Sequence, residues 1–238
     1  MLTLFFVPDL GTDSIVHVEG DEAHHAIKVV RIKIGEELLL ADGGGAWVRG
    51  NVESISKKSF TVTVVERGFA SDIAPDLIVV QAMMKSDRAK EAIELLTVAG
   101  VTRIIPWQAA RSIAKWQDDL GEKWVSTSIA AAKQSRRFNL PEIESPITTA
   151  HIAKRFGKSA NLFVLHESAT IKLSDAAKSL KPGPIVFVIG PEGGLTSDEL
   201  GQLASAGGTV VLLGNEIFRS AHAGFAALSA ISALTGRW

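Results

Sequence analysis

Ile185-Val-Phe-Val-Ile-Gly-Pro-Glu-Gly-Gly-Leu-Thr-Ser-Asp-Glu-Leu200 decides the fold. Its first five residues are uninterrupted apolar side chains, which reads as a strand buried on both faces, because a strand with one wet face would alternate. Gly190, Gly193 and Gly194 then form a turn in which backbone can approach a ligand closely. Thr196 and Glu199 stand at capping-box spacing and open a helix over 197–206. The glycines do not follow G-x-G-x-x-G, and no G-x-x-x-x-G-K-[ST] occurs in the chain, so dinucleotide and phosphate-loop readings lack support. On spacing alone, a tight βα turn without a ligand is as good a reading as a binding loop.

The same alternation extends outward. LIVVQAM, TRIIPW, NLFVLH and TVVLLG are further buried-strand runs, and helical segments over 86–99, 123–135, 173–179 and 221–234 separate or follow them. This predicts an α/β domain over 76–238, a mainly parallel sheet with helices on both faces, whose ligand loops lie at the carboxyl ends of the strands. A second glycine corner lies in Val210-Val-Leu-Leu-Gly-Asn-Glu-Ile-Phe-Arg-Ser-Ala-His-Ala-Gly224, where a strand ends at Gly214 and a helix begins near Ser220. That helix carries so little bulk that Ala223, Gly224, Ala227 and Ala230, at helical spacing, favour a dimer seam over ordinary core.

Residues 1–70 have a different rhythm. LTLFFV, SIVHV, EELLLAD, AWVRGNVESI and SFTVTVVE are short β-runs, Gly43–Gly45 supplies a hairpin connection, and one helix interrupts them over 22–31. They predict a small β-barrel-like domain, joined to the second by a turn-prone linker over 68–75.

Composition narrows the function. The chain has 238 residues, 46% hydrophobic and 21% charged, and no cysteine, which removes disulfide scaffolds, thiolate zinc sites, iron–sulfur clusters and a Cys nucleophile. Residues 1–70 carry 7 Lys+Arg against 10 Asp+Glu and residues 71–238 carry 18 against 16, so neither half is a polycation. Contact with nucleic acid must then come from local clusters: Lys28, Arg31 and Lys33; Lys85 and Arg88; Gln134, Arg136 and Arg137. Each alone reads equally as a solvated face. The six histidines show no ligand spacing, so no metal is expected, and His24 and His25 are expected to pack or bond locally. Trp47 could stack a base or simply pack. MLTLFFVPDLG lacks a basic n-region and no apolar run approaches the roughly 20 residues of a membrane span, which points to a cytoplasmic protein without a membrane partner.

GPEGGLTSDEL and LLGNEIFRSAHAG, in that order and one helix and one strand apart, resemble the RsmE family of 16S ribosomal RNA uridine N3-methyltransferases, within the SPOUT class. QAMMKSDRAKEAIELLTVAGVTRIIPWQAARS, AAKQSRRFNLPEI and LFVLHES are similar to further family blocks, and HHAIKVVRIKIGEELLLADG to its amino-terminal PUA-like RNA-binding segment, so the resemblance covers nearly the whole chain. It implies a trefoil-knotted carboxyl-terminal region, a homodimer, the small ribosomal subunit as partner and S-adenosyl-L-methionine as cofactor. By position, the cofactor would lie among Leu165, His166, Glu167, Gly190, Pro191, Glu192, Gly193, Gly194, Leu213, Gly214, Ile217, Arg219 and Ser220. The final motif departs from the family: Ala221 stands where a Glu is common, and His222 follows it.

The implied reaction sets its own demands. N3 of uridine is an imide nitrogen whose lone pair becomes available on proton loss, with charge shared by O2 and O4, so a site needs positioning and donors for those oxygens. Arg219 could act as such a donor, or cap strand carbonyls as a structural arginine. His222, Glu192 and His166 are the candidate bases, with solvent as a fourth proton acceptor. Competing readings are an RNA-binding module that has lost catalysis, a SPOUT enzyme with a different target nucleotide, and a non-RNA α/β enzyme such as a hydrolase. The last lacks a G-x-S-x-G elbow.

Overall fold

In the computed structural model, which describes residues 2–71, 74–158 and 161–238, the apolar runs become strands of two separate sheets. The chain divides into two compact units, residues 1–72 with 129–140, and residues 73–128 with 141–238.

The first unit is built on β1 (Thr3–Phe6), β2 (Ile15–Glu19), β3 (Glu37–Ala41), β4 (Ala46–Ile55) and β5 (Ser59–Phe69), in the order β1-β3-β4-β5-β2. All pairs are antiparallel except β1 with β3. One face closes over Phe5, Val18, Leu38, Leu40, Val48, Phe60 and Val62. Helix α1 (Gly20–His24) runs into a π-helical turn, His25–Val30, and ends at Arg31 in the left-handed region at φ 61°. Residues 129–140 join this unit through contacts that include Trp47 stacked on Phe138 at 5.4 Å, Lys133 paired with Glu22 at 2.6 Å, and the Leu140 N–H donating to the Gly43 carbonyl at 2.8 Å. The 68–75 linker begins inside β5, and Asp72 and Ile73 lie outside the described residues.

The second unit holds β6 (Leu77–Ala82), α2 (Ser86–Val98), β7 (Arg103–Trp107), the first part of α3 (Asp118–Ser135), β8 (Glu142–Ile143), α4 (Thr149–Phe156), β9 (Asn161–Leu165), β10 (Ile171–Lys172), α5 (Leu173–Ala176), β11 (Ile185–Ile189), α6 (Ser197–Ser205), β12 (Thr209–Leu212) and α7 (Ser220–Leu234). Its seven strands are all parallel, in the order β10-β12-β9-β11-β6-β7-β8. Period-two geometry divides the side chains. Leu77, Val79, Ile185 and Phe187 meet α2 and α7 on one face, while Ile78, Val80, Val186 and Val188 meet α4 and α6 on the other. The all-apolar strands are therefore buried twice, as their sequence requires.

One expectation is qualified and one element is new. Of the small residues of α7, Ala223, Gly224 and Ala227 are buried within the chain and Ala230 is partly buried, and Gly224 lies so close to Leu96 of α2 that a Cβ would fall 2.7 Å from its Cδ2. Small side chains there let two helices of one chain approach closely. Helix α4 also forms where none is expected, started by Thr148, whose hydroxyl accepts from the His151 N–H, and anchored by Ile152 and Phe156. Among the described residues, no helix is long and apolar enough to cross a membrane, and no three His, Asp or Glu side chains gather as metal ligands.

Candidate active site

Because the strands are parallel, β9, β11 and β12 deliver their following loops to one edge of the sheet. Those loops surround a cavity of about 710 Å³, within the usual range for a small-molecule site. Every residue assigned above to the cofactor lines it: Leu165 to Glu167 after β9, Gly190 to Gly194 after β11, and Leu213, Gly214, Ile217, Arg219 and Ser220 after β12. The two glycine corners thus form one wall. Gly190 lies against Leu195, whose Cδ1 is 2.4 Å from where a Cβ would stand, and Gly194 has φ 71°, a conformation L side chains rarely adopt.

Arg111, from the loop after β7, also lines the cavity and had no local signal in the sequence. Its guanidinium donates to the carbonyl of Gly193 at 3.0 Å and more weakly to that of Leu195 at 3.4 Å. Beside it, the Ala110 N–H donates to Glu199 Oε1 at 2.9 Å. Glu199 is only 5% exposed, and its other oxygen accepts from both the N–H and the hydroxyl of Thr196 at 3.0 Å. The capping box thus also straps the β7 loop to the first glycine corner. The one available clue was position: Arg111 follows a strand whose carboxyl end faces the same edge.

Charge in the cavity is mixed, with Arg88, Arg111 and Arg219 opposite in sign to Glu167, Glu192 and Glu216. Arg219 is the N-cap residue of α7, exposed, and its side chain has no hydrogen-bond or ion-pair partner among the described residues. It caps no strand carbonyl there. The amino terminus of α7, with Ser220, Ala221 and Ala223 in the cavity wall, adds its positive dipole end.

The histidines are engaged elsewhere. His166 Nδ1 lies 3.1 Å from the Ser168 N–H and 2.8 Å from its hydroxyl, contacts that order the turn. His222 Nε2 lies 2.8 Å from Glu91 Oε1 on α2, and His222 does not line the cavity. Glu91 is held below its ordinary carboxylate range by the hydrogen bond with His222 and then by Arg88, 2.9 Å away. Arg88 is therefore oriented at the cavity edge through Glu91.

The basic clusters separate between the units. Lys85 and Arg88 belong to the second, at the start of α2. Lys28, Arg31, Lys33, Gln134, Arg136 and Arg137 belong to the first, where Lys28, Arg31, Lys33 and Gln134 are exposed and Arg136 has φ 55°. Trp47, stacked on Phe138, is occupied by packing.

Residues 72–232 match a family model described as RNA methyltransferase domain, and residues 18–65 one described as RNA methyltransferase PUA domain. The chain is 38% identical to ribosomal RNA small subunit methyltransferase E of Mycobacterium bovis, over 99% of this chain and 93% of that one. The chain belongs to the RsmE family. The Bacillus subtilis family member is 29% identical over 90% of this chain and 88% of its own. The same fold recurs in the RsmE protein of Neisseria gonorrhoeae, a structure bound to S-adenosyl methionine, with a TM-score of 0.89 at 24% identity and 98% of each chain covered.

Proposed function

We propose that the protein is an S-adenosyl-L-methionine-dependent methyltransferase acting on N3 of a uridine in 16S ribosomal RNA of the small subunit, in the cytoplasm. The carrying observation is that two glycine corners, separated by one helix and one strand, line a single cavity together with Arg219, which no carboxylate neutralises among the described residues. Family membership and the ligand of the Neisseria protein support the same reading.

The cavity suits this cofactor. Glycine corners present main-chain N–H and C=O groups to a nucleoside edge, the apolar walls Leu165, Leu213 and Ile217 suit an adenine ring, and Glu167, Glu192 and Glu216 suit an ammonium and a sulfonium. The cofactor has no phosphate, which accounts for the missing phosphate motifs. When bound, it supplies a methyl group activated by a positive sulfur.

The chain's own residues do the rest. Arg219 offers a permanently charged fork to O2 or O4 of the uracil as negative charge grows there, and the amino terminus of α7 adds to that potential. With His166 turned to Ser168 and His222 to Glu91, the imide proton passes to Glu192 or to solvent. Residues 1–70 act as a PUA-like module that holds RNA through Lys28, Arg31 and Lys33, with Gln134, Arg136 and Arg137, while residues 76–238 carry the transfer and Lys85 and Arg88 guide the strand. The reading includes a knotted carboxyl terminus and a homodimer. The path supports the former: β12 lies beyond β9 from β11, yet the following residues return to the cavity of Gly190 and continue into α7, packed on β6, β11 and α2.

Calorimetry with S-adenosylmethionine tests this reading against that of a non-catalytic RNA-binding module. Saturable binding at micromolar concentration is expected; no binding at millimolar concentration favours the module.

A further inference from the structure

Gln81 stands near the carboxyl end of β6, among Leu77, Ile78, Val79, Val80 and Ala82, and is 1% exposed. Its neighbours across the sheet are Ile189 on β11 and Pro106 on β7. An aliphatic side chain would continue the core there, whereas an amide costs desolvation that only hydrogen bonds offset. Its Nε2 donates to Ser220 Oγ at 3.2 Å, and Ser220 Oγ donates to the Gly190 carbonyl at 2.6 Å. A hydroxyl has one proton, and here Gly190 receives it, so the Gln81 contact must be the amide N–H donating. That fixes how the amide is turned. The other half, Oε1, is buried without a partner among the described residues. The residue is therefore tolerated for its donor side.

The position of this chain of bonds gives it a purpose. Gly190 opens the first glycine corner and Ser220 closes the second, and both line the cavity, whereas Gln81 stands behind the wall. Resting on the methyl-transfer reading above, we infer that Gln81 is a positioning residue that, through Ser220, holds the two corners at the separation the methyl donor requires. It sets cofactor affinity and leaves the rate of transfer to Arg219.

The bonds predict a particular coupling. Ser220→Ala leaves the Gly190 carbonyl unpaired and the Gln81 amide with only its longer contact to the Ala82 carbonyl at 3.5 Å, whereas in a Gln81→Met background it leaves only the carbonyl. By calorimetry with S-adenosylmethionine, Ser220→Ala should weaken binding roughly ten-fold, Gln81→Met roughly five-fold, and the double variant roughly ten-fold, where independent sites would give about fifty-fold. Methyl transfer should show the cofactor KM rising with kcat within about two-fold, and Ser220→Thr, which keeps the hydroxyl, should retain wild-type affinity. Multiplicative losses, a fall in kcat at unchanged affinity, or a Ser220→Thr loss equal to that of Ser220→Ala would each overturn the inference while the wild type still binds. A wild type that takes up no S-adenosylmethionine overturns the methyl-transfer reading, and this inference with it.

Discussion

At the scale of single residues, the proposed chemistry rests on Arg219. Its guanidinium is free among the described residues and stands on the N-cap of α7 at the cavity wall, where a fixed donor needs no reorganisation as charge develops. Single-turnover methyl transfer by Arg219→Ala at saturating cofactor should fall by roughly 10² to 10³-fold, as for loss of one oxyanion donor, with cofactor affinity nearly unchanged. An unchanged rate would return Arg219 to a structural role. Gly194 is a second residue-scale test. At φ 71° a Cβ costs about 1–2 kcal/mol, so Gly194→Ala should bind S-adenosylmethionine roughly ten-fold more weakly by calorimetry. The glycines and Arg219 were legible in the sequence because each belongs to a strand-turn-helix signature. Arg111 was not, since its hydrogen bond spans 82 positions of chain and no local pattern encodes it.

At the scale of elements, caps and staples decide what the strands alone leave open. Thr196 closes a reciprocal capping box with Glu199, which also holds the β7 loop. Thr196→Ala should therefore cost about 1–2 kcal/mol, read as a lowered urea midpoint. On α4, which shares a face of the sheet with α6, Arg155 grips both oxygens of Glu144, at 2.5 and 2.9 Å, with Arg103 3.6 Å away. The hydrogen bonds from Arg155 hold the Glu144 carboxyl below its ordinary value, against the opposing effect of burial. A depressed carboxylate stabilises the fold above its unfolded value, near 4.3, and that contribution fades as pH falls through the folded one. Glu144→Gln should lower the urea midpoint at pH 7, with the gap to wild type closing below about pH 4. The long strands were readable because burial on both faces leaves continuous apolar runs. The two-residue edge strands, the π-helical turn after α1 and the eight-residue α4 were not, because each presents too few periodic positions.

At the scale of the whole molecule, the proposed function assigns RNA holding and methyl transfer to different units. Lys28→Ala with Lys33→Ala should weaken RNA binding across sequences and reduce its salt slope by about one for each phosphate that is no longer neutralised, leaving S-adenosylmethionine affinity unchanged. Parallel loss of both affinities would mean unfolding instead. The broad organisation was visible because residues 1–70 and 76–238 differ in period, β-runs against β/α alternation. The placement of 129–140 with the first unit was not, since it depends on Trp47, Glu22 and Gly43 meeting partners about a hundred residues away. The most direct measurement supplies methyl-labelled S-adenosylmethionine and small ribosomal subunits from cells lacking the protein, then maps the label. The account predicts label on N3 of a uridine in 16S RNA, and label on another atom, or none at all, would contradict it.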